Sequence, residues 1–169
     1  AAWLYPFLED IPKRLYRGSA YEFWTLGLWP NPFCPVNELN AADLVHLHWV
    51  SEGLLPLSYV ARIRRPILWT LHDMNAFTGG CHYAGSCDAF TRRCGACPQL
   101  GSSRERDLSR LCFRMKERHW SRTDITLICP SSWMASQAAR SPLFADRKIV
   151  VLPNGLDLER FRPLAKDAA

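Results

Sequence analysis

His72 and Asp73 stand at the end of an apolar run, PILWTL, where a buried strand would hand over to a loop. Open α/β sheets carry their chemistry at the carboxyl ends of strands. A histidine beside a carboxylate there is a candidate for positioning a reacting group and supporting its charge. The loop that follows holds Gly79-Gly80 and then Cys81, Cys87, Cys94 and Cys97, spaced C-x5-C-x6-C-x2-C. A glycine pair permits close approach of backbone to a ligand. It is not a phosphate loop, because neither a strand-Gly-x-Gly-helix pattern nor a Walker lysine accompanies it. Cys94 and Cys97 form a knuckle that can grip a tetrahedral ion, whereas the first pair is more loosely spaced and His82 is a substitute ligand. Four thiolates would close the shell of a zinc ion and make it a structural staple, not a Lewis acid. A redox role and unmetallated structural thiols are the alternatives.

Other strand ends repeat the theme. DLVHLHW ends in His48 and Trp49, DITLIC leads to Ser131 and Ser132, and KIVVLP leads to Asn154 and Gly155. His48, Trp49, Asn154 and Gly155, with Gly79 and Gly80, are candidate substrate-binding residues, and His72 and Asp73 the candidate catalytic ones. Local roles suffice for His46 as a core histidine and for the serines as helix caps.

The elements that must position these groups alternate in type. Strands are expected over DLVHLHW, PILWTL, DITLIC and KIVVLP. Helices are expected over SEGLLPLSYVARIRR, capped by Ser51, over SSRERDLSRLCFRMKERHW, and over PSSWMASQAAR behind a serine cap. In the second helix Leu108, Leu111, Cys112 and Met115 would share one face. Such alternation predicts βαβ units, hence a parallel sheet with right-handed crossovers. Residues 1–40, rich in aromatics and proline, read as an irregular segment with a short strand around Phe23 to Leu28.

Composition narrows the class. The chain has 169 residues, 48% apolar and 22% charged, as in ordinary globular proteins. No apolar run approaches the roughly 20 residues of a membrane span, and the start lacks the pattern of a signal peptide. The net charge of +5 gathers between Arg92 and Arg122, including Arg104, Arg106, Arg110, Arg114, Lys116 and Arg118. The ordinary reading is a solvated helix face; the sharper one is a surface for anionic lipid or an acidic substrate. No basic motif of a known nucleic-acid module is visible. Of seven cysteines, Cys34, Cys112 and Cys129 lie apart in apolar surroundings and read as small hydrophobes. Without a secretory context, a reduced, cytoplasmic chain is expected.

Taken together and in order, these pieces resemble the N-terminal domain of glycosyltransferase family 4. ADLVHLHWV is similar to the family's D-v-v-H-x-H strand, PILWTLHD to its P-v-v-x-T-x-H-D strand, and VLPNGLDLERF to its P-N-G-v-D junction. ICPSSW resembles the strand-to-helix piece between them. HDMNAFTGGCHY through CGACPQL resembles a subgroup of bacterial polysaccharide-assembly transferases. The resemblance spans about Asp43 to Pro163. It implies a Rossmann-like parallel sheet flanked by helices, the N-terminal half of a GT-B fold, here with a cysteine-rich loop. Residues 41–153 would form the acceptor-side domain, and 154–169 the start of a linker to a second, donor-binding domain. The absent initial Met, first strand and second domain make the chain a fragment by expectation, inactive alone.

The implied reaction moves a sugar from a nucleotide-diphosphate sugar to a hydroxyl of a carbohydrate or lipid-linked acceptor, with retention. It needs no metal cofactor for catalysis. His72 matches the histidine that points at the donor sugar; Asp73 would orient that ring or contact the acceptor. Peripheral contact with the inner face of the plasma membrane is compatible with this reading. The alternatives are a non-catalytic zinc-stapled α/β binding module and another GT-B enzyme, such as an epimerase or phosphorylase.

Overall fold

The computed structural model describes residues 7–8, 11–16 and 23–162. The linker expected over 154–169 and the aromatic segment expected over 1–40 therefore lie partly outside the described residues. The described elements run α1 (Val36–Ala41), β1 (Val45–Leu47), α2 (Leu57–Val60), β2 (Ile67–Thr70), α3 (Leu108–Trp120), β3 (Ile125–Cys129), α4 (Ser132–Arg140) and β4 (Ile149–Val151). The four strands form one sheet in the order β1-β2-β3-β4. Every pair is parallel, with Val45 opposite Ile67, Ile67 opposite Ile125, and Leu127 opposite Ile149. The parallel α/β sheet expected from the alternation is what forms.

Strand alternation sorts the side chains. Val45, Leu47, Ile67, Trp69, Ile125, Leu127 and Cys129 are buried on one face. His46, Leu68, Thr126 and Ile128 on the other face are half-buried or exposed. Sequential parallel neighbours joined by right-handed crossovers put their connecting helices on a single face, which accounts for this asymmetry. Behind that face Trp120 packs edge-on to Trp69, with centroids 5.2 Å apart, and stacks on Phe144 at 5.4 Å.

Helix starts differ from the sequence reading, for local reasons. The helix expected from Ser51 begins only at Leu57. Glu52 and Gly53 adopt left-handed backbone angles, φ 56° and 80°, and extended Pro56 is the N-cap. The Asn31 side chain holds this turn by donating to the Gly53 carbonyl at 2.7 Å. The second long helix begins at Leu108, not Ser102. Its N-cap Asp107 accepts from the Arg110 amide at 3.0 Å and also from the Cys97 amide at 2.8 Å.

The buried stripe of α3 is Leu108, Cys112, Phe113, Lys116 and Trp120. Leu111 falls off that stripe and is 49% exposed. Lys116, expected on the charged surface, is fully buried instead. The serine cap of α4 is as expected, with Ser131 accepting from the Met134 amide at 3.2 Å. Phe23 to Leu28 is irregular rather than a full strand, with Gly27 at a left-handed φ of 65°. It makes one antiparallel bridge, Trp24 to Cys81, which ties the N-terminal side to the cysteine loop.

Candidate functional site

Parallel pairing brings the ends of β1 and β2 side by side, and His48 and His72 project from them. The His48 Nδ1 and His72 Nε2 atoms lie 2.9 Å apart, and the rings are stacked with centroids 5.2 Å apart. One ring must donate and the other accept, so the contact requires at least one neutral imidazole. The Trp69 indole N–H donates to the His48 carbonyl at 2.9 Å, anchoring that strand end to the core. Both histidines are exposed. They line one cleft with Trp49, Asp73, Thr25 and Asn75.

Asp73 does not hold His72. Its Oδ2 accepts from His82 Nδ1 at 2.6 Å, and its Oδ1 accepts from the Asn75 amide at 2.8 Å. His82 Nε2 meets the Thr25 hydroxyl at 2.9 Å. Asn75 Nδ2 donates to that same hydroxyl oxygen at 3.1 Å and to the Gly80 carbonyl at 2.8 Å. With neutral His82 the assignment closes: Nδ1–H serves the carboxylate, and Nε2 accepts the threonine proton. Beneath lies Lys116, whose ammonium donates to the Asn75 carbonyl and side-chain oxygen and to the Thr78 carbonyl. Its three donors find three acceptors, which is how a buried cation is tolerated.

Charge follows from these contacts. Burial pushes the Asp73 carboxyl up, but the hydrogen bond from His82, the Asn75 amide and the Lys116 charge outweigh it. The net position is below the ordinary aspartate value. Burial pushes the Lys116 ammonium down, and the nearby Asp73 carboxylate opposes that shift.

The glycine pair is explained by packing. A Cβ on Gly79 would sit 2.5 Å from the Ser109 carbonyl oxygen, and one on Gly80, at φ 144°, would sit 2.5 Å from the Trp24 ring. Asn154 and Gly155 leave β4 at the same sheet edge, two strands from His72, and are exposed. Around the cleft mouth Phe23 packs against Trp49 at 5.9 Å, and the Tyr83 hydroxyl donates to the His72 carbonyl at 3.3 Å.

Sequence reasoning missed Thr25, Asn75 and Lys116, and offered His82 as a substitute metal ligand rather than as the partner of Asp73. Asn75 had a signal, since Asp-x-Asn after a strand favours an Asx turn. Thr25 had none, because its partner lies 57 positions away.

The four clustered cysteines line a second, separate cavity with Trp24, Phe90 and Ser109. All four are free thiols. Burial pushes Cys81 up to about 11 and Cys94 up to about 12. Among the described residues, no three or more His, Cys, Asp or Glu side chains are gathered closely enough to hold a metal ion.

A parallel α/β sheet with a histidine-lined cleft at its carboxyl edge defines a Rossmann-like domain with its site where such sheets carry ligands. The family model of Glycosyltransferase Family 4 matches residues 11–160, and the chain belongs to that family. No curated protein and no solved structure matches it.

Proposed function

We propose that this chain is the acceptor-side domain of a retaining glycosyltransferase. It would act in polysaccharide or glycoconjugate synthesis, moving a sugar from a nucleotide-diphosphate sugar to an acceptor hydroxyl. The observation that carries the reading is the exposed His48–His72 pair at the carboxyl edge of the sheet, in a family 4 chain.

On this reading the donor is held mainly by a second domain beyond residue 169. His72 faces the reacting sugar, where a polarised imidazole stabilises the positive charge that develops at the anomeric carbon. His48 fixes the His72 ring. Asp73 keeps the loop behind that ring in place through His82. Trp49, packed against Phe23, offers an aromatic wall for the acceptor. Asn154 and Gly155 stand nearer the donor side.

No helix among the described residues is long and apolar enough to cross a membrane. The exposed Arg92, Arg104, Arg106, Arg114 and Arg118 would meet anionic headgroups if the acceptor is lipid-linked. Sedimentation with anionic vesicles, compared with neutral ones, checks that contact.

The test uses the longest natural form of the protein, a panel of nucleotide-diphosphate sugars and carbohydrate or lipid-linked acceptors. The anomeric configuration of the product is read by NMR. Transfer with retention, lost in His72→Ala, is the expected result. Inverted product would overturn the mechanism. Absence of donor binding by a form that includes both domains would favour a non-catalytic binding module.

A further inference from the structure

The cavity beside the site has an unusual lining. Cys81, Cys87, Cys94 and Cys97 all face it, and the rest of its wall is mostly apolar: Trp24, Ala84, Ala89, Phe90 and two glycines. Its volume is about 20 Å³, room for one small ion or one water. An apolar wall offers a water few partners, so four sulfurs around that space need another reason.

The backbone is bent around these groups. Cys94, Gly95 and Ala96 carry three successive positive φ angles, 50°, 110° and 46°. Two of these are on residues with a Cβ, where the conformation is strained and needs a compensating contact. The Gly95 amide is held by Ser109 Oγ at 2.9 Å, and the Cys97 amide by Asp107 at 2.8 Å.

Other ligand sets are excluded by the surrounding contacts. Both nitrogens of His82 are engaged, by Asp73 and Thr25. Asp107 is committed to the cap of α3 and to the Cys97 amide. Only sulfur remains, and soft thiolate sets select zinc over hard cations.

We propose that Cys81, Cys87, Cys94 and Cys97 bind one zinc ion as a closed tetrathiolate site that staples the loop between β2 and α3. The free thiols stand apart, and zinc binding would draw them inward by changes of χ1 rotamer, each of which moves a cysteine sulfur by roughly 3 Å. The site is structural, because four protein ligands leave no position for substrate. It lies one residue from His82, so the metal also holds the partner of Asp73 in place. The proposal does not depend on the glycosyltransferase reading.

The experiment measures metal on the whole protein, purified in reductant without chelator. About one zinc per chain is expected. Cobalt(II) exchanged into it should give intense near-ultraviolet sulfur-to-metal absorption and the visible bands of a tetrahedral centre. Cys94→Ser and Cys97→Ser should lose at least tenfold in zinc affinity, whereas Cys34→Ser and Cys129→Ser keep it. Should the loop variants fail to fold, the metal content and cobalt spectrum of the unaltered protein decide. A metal-free protein that takes up no cobalt would overturn the proposal. So would a six-coordinate cobalt spectrum, a brown iron-containing protein, or an intact mass showing disulfides among these cysteines.

Discussion

His48 and His72, 24 positions apart in the chain, face each other at 2.9 Å across the ends of neighbouring strands. Both are exposed, so the pair adds little to the core and is free to be altered without unfolding. In a form of the enzyme that transfers sugar, His72→Ala should lower kcat by about 100-fold or more, as loss of a transition-state contact does. Its stability should move by only about 0.5 kcal/mol, the usual scale for surface positions. His48→Ala, which frees the His72 ring without removing it, should cost less in kcat. Urea titration beside the rate assay separates the two effects. Equal losses of rate and stability for His72→Ala would make it a structural residue.

Asp73 gives the fold an acid sensitivity of known sign. Its folded pKa lies below the ordinary value, so between the two values the unfolded chain binds more protons. The stabilisation is full above the ordinary aspartate value and is lost as pH falls through the folded one. Asp73→Asn should narrow its stability deficit against the natural protein as pH drops below about 4. Urea midpoints from pH 7 down to the acid limit of folding measure it; a deficit constant over that range would contradict the assignment.

Lys116 is a fully buried cation whose three acceptors belong to the loop after β2. Lys116→Met fits the volume and leaves those oxygens unpaired. The expected loss is about 2–4 kcal/mol, the scale of several orphaned buried acceptors. An unchanged denaturation midpoint would mean that the loop satisfies its carbonyls without the ammonium.

Glycine substitutions separate packing from ligand approach. Gly79→Ala and Gly80→Ala would push a Cβ to 2.5 Å from the Ser109 oxygen or the Trp24 ring, and should cost about 1–3 kcal/mol or more. Gly85→Ala meets nothing within 4 Å at φ 58° and should cost only the left-handed penalty of about 1–2 kcal/mol. Thermal melts of the three rank them. Normal melting of Gly79→Ala with loss of donor or acceptor binding would point to a substrate-contact role.

How far the sequence could be read depended on the range of the interaction. The strands were visible because PILWTL and DITLIC are short, apolar and β-favouring, and their order along the chain becomes their order in the sheet. The placing of His48 beside His72 followed from that. The helix at Ser51 was misread because Glu52 and Gly53 bend the chain left-handed, which no apolar spacing reports. Lys116 looked like part of a solvated basic run, since its three acceptors come from a loop 38–41 positions earlier. His82 sits next to a cysteine and so looked like a ligand. Only the fold shows that its ring is committed to Asp73 and Thr25.

The indole of Trp69 spans two environments. Its ring lies against Trp120 in the core, and its N–H reaches the His48 carbonyl at the cleft. Light absorbed there therefore reports on the cleft without any added label. A ligand that displaces the His48 backbone weakens this hydrogen bond and alters the emission wavelength and yield. Among seven tryptophans that contribution is isolated by difference, since Trp69→Phe keeps the ring packing but lacks the N–H. A ligand-induced change that survives in Trp69→Phe would come from elsewhere; one that disappears gives a continuous optical readout of occupancy at the histidine pair.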